Sequence, residues 1–150
     1  MRTNTADSET QFFLRLEQLL AERHPELDLD APTAQERYEG PTPDLVLSDT
    51  RTGSSLGLEM RVGFSGKHIP LAMLPQVRAV RERFRSGLPQ PGDVVVIATG
   101  PIPRMVREGF VRDGIQYHEV SSPEEAVERL NDRLEELKSP RWSGRRSWVG

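Results

Sequence analysis

The chain has 150 residues, of which 35% are hydrophobic and 29% are charged, and its formal net charge is −3. That length suits one compact domain, and the near balance of charge excludes a wholesale polycation such as a histone. Because no apolar run approaches the ~18 residues of a membrane span and the first residues are polar, we expect a cytoplasmic protein with no membrane partner.

The first helix and a set of antiparallel strands are predicted in the N-terminal half. Ser8 and Gln11 have capping-box spacing, and the helix that follows runs from about Glu9 to Arg23 with one apolar face. A polar connection comes next. Alternation and turn residues then predict a short edge strand and the two strands of a hairpin, at Gln35 to Glu39, Pro43 to Asp49 and Ser55 to Val62.

Helices and strands alternate in the C-terminal half, in the rhythm of parallel crossovers. The predicted elements are a helix from about Leu71 to Arg85, a buried strand from Asp93 to Thr99, a short helix around Arg104 to Val111, a strand from Ile115 to Val120, and a last helix capped by Ser122 and stopped by Pro140. We therefore predict an α/β fold, a sandwich around a mixed sheet, with an antiparallel hairpin and a C-terminal β-α-β-α unit. Residues 1–138 form a single domain in this prediction, and 139–150 form a tail.

Three charged residues in the predicted hairpin are candidates for chemistry. Asp44 opens one strand, and period-two alternation places Glu59 and Arg61 on one face of the next strand while Leu58 and Met60 take the other. Two carboxylates at adjacent strand ends are a typical site for Mg²⁺ in phosphoester chemistry. The chain contains no cysteine, so a metal site would be built from carboxylates or histidines, which favours hard cations.

These residues resemble the motif of the PD-(D/E)xK nuclease superfamily. The matching segments are Pro43-Asp44 and, after fourteen intervening residues, Glu59-Met60-Arg61. The predicted order of helix, antiparallel strands, helix and strand also matches, over about Glu9 to Thr99. The resemblance implies a three-layer, restriction-endonuclease-like fold and a cofactor that is Mg²⁺ or Mn²⁺.

The resemblance also implies roles for individual residues. Asp44 and Glu59 correspond to the metal ligands, Glu17 resembles an additional acid that some members carry on the first helix, and Gln76 resembles a polar residue near the site. Glu9 and Glu22 compete with Glu17 for that role.

Arg61 stands where the family has lysine. Arginine stays protonated and cannot act as a base, although it can hold a phosphate through two hydrogen bonds. Lys67, in the loop just after the motif strand, is a candidate substitute and is one of only two lysines in the chain. An ordinary surface lysine is the alternative.

Two further segments are candidates for binding. The predicted helix after the motif strand carries Arg78, Arg81 and Arg85 on one side, a face that suits a phosphate backbone or is simply solvated. The tail mixes arginine and tryptophan, a combination that suits binding. We expect a protein partner, such as a second copy of the chain, rather than nucleic acid. Its candidate residues are Trp142, Arg145, Arg146 and Trp148.

We expect a metal-dependent nuclease in which metal-activated water hydrolyses a phosphodiester, with Arg61 and Lys67 at the phosphate. Its partner would be nucleic acid, with DNA favoured over RNA, and a homodimer would supply a second cutting site for duplex. The alternative is a catalytically inactive nuclease-like module that serves nucleic-acid or protein binding in a larger assembly. A third interpretation is an unrelated α/β domain whose hairpin acids are incidental.

Overall fold

The structure is a computed structural model that describes residues 5–61, 71–87 and 92–139. In those ranges the chain forms five helices and five strands, in the order α1 (Thr5–Arg23), β1 (Asp28–Asp30), α2 (Ala34–Glu39), β2 (Leu45–Asp49), β3 (Ser54–Arg61), α3 (Met73–Ser86), β4 (Gly92–Ala98), α4 (Arg104–Asp113), β5 (Gln116–Glu119) and α5 (Pro123–Lys138). The predicted α/β class is confirmed.

All five strands form one mixed sheet in the order β1-β2-β3-β4-β5. β1, β2 and β3 are mutually antiparallel, and β3, β4 and β5 run parallel. β3 is therefore the strand at which the sheet changes from antiparallel to parallel pairing. The predicted hairpin is β2 and β3, and the predicted C-terminal unit is β4-α4-β5-α5.

Helices cover both faces of the sheet, so the fold has three layers. On one face, α1 and α5 bury residues such as Leu16 and Leu134 against Leu58 and Met60 of β3. On the other face, α3 and α4 pack against β4 and bury a second cluster. The members of this cluster are Met73, Val77, Val96, Ala98, Ile102, Val106, Phe110 and Ile115. Alternate residues of β4 thus serve different cores, as the period of a strand requires, whereas Leu56, Leu58 and Met60 of β3 all belong to the first.

The last helix begins as its sequence predicts. The Ser122 hydroxyl accepts a hydrogen bond from the backbone N–H of Glu125, and Pro123 occupies the first turn. The N–H groups of the first turn have no partner inside the helix. The Ser122 hydroxyl satisfies one of them, and Pro123 has no N–H to satisfy.

The edge strand predicted at Gln35 to Glu39 is wrong, because these residues belong to α2. Thr33 and Glu36 form a complete capping box, in which each side chain accepts from the other residue's backbone N–H. This local pairing stabilises a helical turn in a segment that buries no side chain. The edge strand is instead β1, within the stretch predicted to be a polar connection.

A close contact fixes the register of the hairpin. Pro43 packs over Gly57 of β3, where an added Cβ atom would lie 2.8 Å from the Pro43 Cγ atom. Only glycine leaves room for the proline ring at that position. The contact lies one residue before Asp44 and two residues before Glu59, so it sits beside the predicted site.

None of the described helices combines the length and apolarity needed to span a membrane. The predictions for Lys67, for the tail residues Trp142, Arg145, Arg146 and Trp148, and for the end of the second hairpin strand at Val62 lie outside the described residues.

Candidate functional site

The hairpin register brings the two predicted carboxylates face to face. β2 and β3 pair Leu45 with Leu58, and the backbone N–H of Asp44 donates to the Leu58 carbonyl at 2.8 Å. Asp44, one residue before β2, therefore lies opposite Glu59. Glu59 pairs with Val96, which belongs to the core under α3 and α4, so the carboxylate pair is on that face of the sheet.

Asp44 uses its two carboxylate oxygens differently. Oδ2 accepts a hydrogen bond from the backbone N–H of Met60 at 2.7 Å. Oδ1 lies 3.6 Å from Nη1 of Arg37. The pairing of β2 with β3 starts at Leu45, so no residue of β2 lies opposite Met60. The Asp44 side chain accepts the Met60 N–H in place of a backbone carbonyl. Asp44 is thus both a candidate ligand and a part of the sheet.

Glu59 is a buried carboxylate with one satisfied oxygen. The residue is only 3% exposed, and Oε2 forms an ion pair with Arg61 Nη2 at 2.8 Å. Oε1 is buried and has no hydrogen-bond partner within the described part of the chain. Burial raises the pKa of Glu59 to about 7, the Asp44 carboxylate adds to the rise, and Arg61 offsets it only in part.

Arg61 lies between the two acids and α3. Its Nη2 atom pairs with Glu59 Oε2 and also donates to Gln76 Oε1 at 3.4 Å. Its Nη1 atom donates to the Met60 carbonyl at 2.9 Å and lies 3.9 Å from Asp44 Oδ2. An arginine is charged at any useful pH. The guanidinium is therefore an internal cation shared by the two carboxylates.

Asp44 and Glu59 are the two carboxylates at this site that could hold a hard divalent cation. Asp44 and Glu59 offer oxygen donors, and the unpartnered, buried Oε1 of Glu59 is an acceptor that a cation would satisfy. In the described ranges, no group of three or more acidic or histidine side chains is placed to hold a metal. Water and substrate would have to fill the remaining positions.

Glu17 does not join this pair. It lies partly buried on α1, and the neighbouring Leu16 and Leu20 pack against Leu58 and Met60. That is the face of the sheet opposite to the one that Glu59 occupies. The structure therefore brings together Asp44, Glu59, Arg61 and Gln76 but leaves the predicted third acid on the other side.

The arginines of α3 are engaged with acids and carbonyls of their own layer. Arg81 forms two hydrogen bonds with Asp93, of which the shorter is 2.9 Å, and donates to the Asp113 carbonyl at 2.7 Å. Arg78 pairs with the Asp113 carboxylate, and Arg85 lies 3.9 Å from Asp93. These contacts link α3 to β4 and to the turn after α4, and they compensate the charge predicted to follow a phosphate backbone.

Arg37 is the site residue that the sequence analysis missed. It reaches Asp44 because residues 34–39 form a helix, whereas they were predicted to form an edge strand. The signal was present in the sequence, since Thr33 and Glu36 have the spacing of a capping box.

Comparison of the chain with models of protein families, with curated proteins and with solved structures found no match.

Proposed function

We propose that the chain is a metal-dependent nuclease of the PD-(D/E)xK type with a restriction-endonuclease-like fold. The observation that carries the proposal is the meeting of Asp44 and Glu59 across the hairpin, with Arg61 between them. The order of elements supports it, because α1, three antiparallel strands, α3 and the parallel strand β4 follow one another as the resemblance requires. α2 is then an insertion in that order.

In this proposal, Asp44 and Glu59 hold Mg²⁺ or Mn²⁺ through their oxygens. A cation at that position would supply a water nucleophile of lowered pKa and compensate charge on the phosphate. Arg61 turns part of its guanidinium from the carboxylates to the phosphate, to which it can donate two parallel hydrogen bonds. Gln76 orients Arg61 through the contact with its Nη2 atom.

Nucleic acid is the partner that this function requires, and we favour DNA over RNA. The proposal includes a homodimer, or another protein partner held by the C-terminal tail. It also includes a cytoplasmic location. Of the three arginines predicted to follow a phosphate backbone, only Arg85 enters the proposal, because its 3.9 Å contact with Asp93 is longer than the contacts that hold Arg78 and Arg81.

A cleavage assay with paired variants tests the proposal. The purified chain is incubated with supercoiled, linear and single-stranded DNA and with RNA, in Mg²⁺ or Mn²⁺, beside Asp44→Asn and Glu59→Gln. The matched control is Asp132→Asn, which removes an exposed carboxylate from α5 on the opposite face. We expect cleavage by the wild type and the control, and none by the two site variants or in the presence of chelator. Cleavage that survives both site variants would contradict the assignment.

A second candidate is a nuclease-like binding module without catalysis. The specific observation in its favour is that the Arg61 guanidinium already neutralises both acids, at 2.8 Å from Glu59 and 3.9 Å from Asp44. Titration calorimetry with Mn²⁺ separates the two candidates. A nuclease binds Mn²⁺ through the carboxylate pair, and Asp44→Asn weakens that binding. A module whose internal cation is Arg61 releases no heat with Mn²⁺ and still binds nucleic acid.

A further inference from the structure

The contact between Arg37 and Asp44 is long and partly open to solvent. Nη1 lies 3.6 Å from Oδ1, which is ion-pair distance but not hydrogen-bond distance, and the Arg37 side chain is 50% exposed. Among the described residues, Asp44 is the one acid that the guanidinium contacts. A loose, half-exposed pair of this kind contributes little to stability.

The fold does not depend on Arg37. α2 buries none of its six residues, and its first turn is satisfied by its own capping box. The chain after α2 is held instead by Arg83, which donates to the Pro41 carbonyl at 3.3 Å. The guanidinium is therefore free to leave Asp44 without disturbing a core.

The charges at the site favour such a movement when the site is occupied. Asp44 and Glu59, when both are ionised, balance Arg37 and Arg61, so the four groups have no net charge. A divalent cation on the carboxylates adds two positive charges and competes with both arginines for the same oxygens. An anionic phosphodiester would then be attracted to the released guanidinium.

We infer that Arg37 is a substrate-binding residue, whose guanidinium exchanges the Asp44 carboxylate for a phosphate of the nucleic acid. The inference rests on the proposed nuclease function and assigns α2 to the substrate-facing edge of the site. Arg37 differs in this from Arg81, which is bound to a carboxylate and two backbone carbonyls and is only 15% exposed.

Binding without cleavage tests the inference. Fluorescence anisotropy of a labelled DNA duplex is measured in Ca²⁺, which takes the same oxygen ligands as Mg²⁺, over a series of salt concentrations. The proteins are the wild type, Arg37→Ala, Arg37→Lys and the control Arg15→Ala. Arg15 is also half-exposed and ion-paired, to Glu124, but it lies on α1 on the other face. Thermal melts and Mn²⁺ titrations accompany each protein.

We expect Arg37→Ala to bind DNA about tenfold more weakly, because one charge-assisted hydrogen bond to a phosphate is lost. Its slope of log affinity against log salt should be shallower by about 0.9, the value for one lost phosphate contact. Arg37→Lys should recover the slope, because it keeps the charge. Arg15→Ala should match the wild type, no variant should bind Mn²⁺ more weakly than the wild type, and all four proteins should melt together.

Three results would overturn the inference. Wild-type affinity and slope in Arg37→Ala would show that Arg37 does not contact the phosphate, and the proposed nuclease would stand if the wild type still cleaves. Loss of Mn²⁺ binding in Arg37→Ala would show instead that Arg37 positions Asp44. Absence of DNA binding by the wild type would remove both the inference and the proposed function.

Discussion

The Asp44 carboxylate accepts the backbone N–H of Met60 at 2.7 Å, so a candidate metal ligand also completes the hydrogen bonding of β3. Replacing Asp44 by alanine leaves that partly buried N–H without its acceptor, at a cost of about 1–3 kcal/mol. Asparagine keeps an oxygen acceptor at the same place and should cost less. Denaturant unfolding in EDTA measures both variants.

Equal unfolding midpoints for Asp44→Ala and Asp44→Asn would show that the Met60 hydrogen bond adds no stability. The expected difference has a practical consequence, because loss of activity in the alanine variant would mix a folding defect with the loss of a ligand. Asp44→Asn is therefore the better variant for assigning the site.

Glu59 should make the folded protein less stable as pH rises. Its pKa is raised from 4.5 to about 7 by burial and by Asp44, so the folded state prefers the protonated form. The stability that this proton contributes is complete below pH 4.5 and is lost as pH rises through about 7. Because one pKa unit corresponds to about 1.4 kcal/mol and the pKa rises from 4.5 to about 7, the loss by pH 8 is on the order of 3 kcal/mol.

Glu59→Gln should remove this dependence, since glutamine resembles the protonated acid and does not titrate. Denaturant unfolding in EDTA at pH 5 and at pH 8 measures the free energy of unfolding of the variant and the wild type, with Asp132→Asn as the control. The variant should match the wild type at pH 5 and exceed its stability at pH 8. A constant difference between the two proteins across this range would contradict the raised pKa.

The contacts of Arg81 predict a structural role for this arginine. Its guanidinium joins α3 to Asp93 of β4 and to the carbonyls of Asp113 and Gly114. Arg81→Ala leaves Asp93 without its main partner, and we expect a loss of about 1–3 kcal/mol.

Arg85→Ala is the matched variant on the same helix. Arg85 is 51% exposed and lies 3.9 Å from Asp93, so its removal should change stability by no more than about 0.5 kcal/mol. Thermal or denaturant unfolding compares the two variants. If Arg81→Ala is as stable as Arg85→Ala and binds DNA more weakly, the phosphate-binding interpretation of α3 is the correct one.

His24 should make the protein sensitive to mild acid. The residue is 2% exposed, and Nδ1 lies 3.1 Å from Nζ of Lys138, which can only donate. Burial lowers the pKa of His24, and the charge of Lys138 lowers it further, although Glu135 and Glu26 act in the opposite direction. The stability that depends on neutral His24 is therefore complete above pH 6.5 and is lost as pH falls below it.

His24→Asn tests this link, because asparagine offers an acceptor near the Nδ1 position and does not titrate. Free energies of unfolding for the variant and the wild type are compared between pH 7.5 and pH 5. Relative to the variant, the wild type should lose stability as pH falls, because both proteins share the contribution of Glu59. Parallel curves would mean that His24 is not the acid-sensitive group.

Local patterns in the sequence were sufficient for most of the fold and for the grouping of Asp44, Glu59 and Arg61. Alternation along β3 predicted that Glu59 and Arg61 share a face, and Leu58 and Met60 do belong to the core on the opposite face, under α1 and α5. Ser122 predicted the start of α5, since capping depends on near neighbours.

Features that depend on distant partners could not be predicted in this way. β1 is three residues long with one partly buried side chain, and only its pairing with β2 makes it a strand. The acids that hold Arg78 and Arg81 come 35 and 12 residues later in the chain. Their charge therefore appeared free in the sequence, although it is compensated in the fold.

The contact of Pro43 with Gly57 ties the folding of the hairpin to the assembly of the site. A slip of one residue between β2 and β3 would set Pro43 against a side chain and would turn every apolar residue of the shifted strand to the wrong face. The same slip would move Asp44 away from Glu59. Misregistered molecules would thus lose core packing together with the carboxylate pair, so selection for a correctly folded hairpin also selects against chains that fold with a broken site.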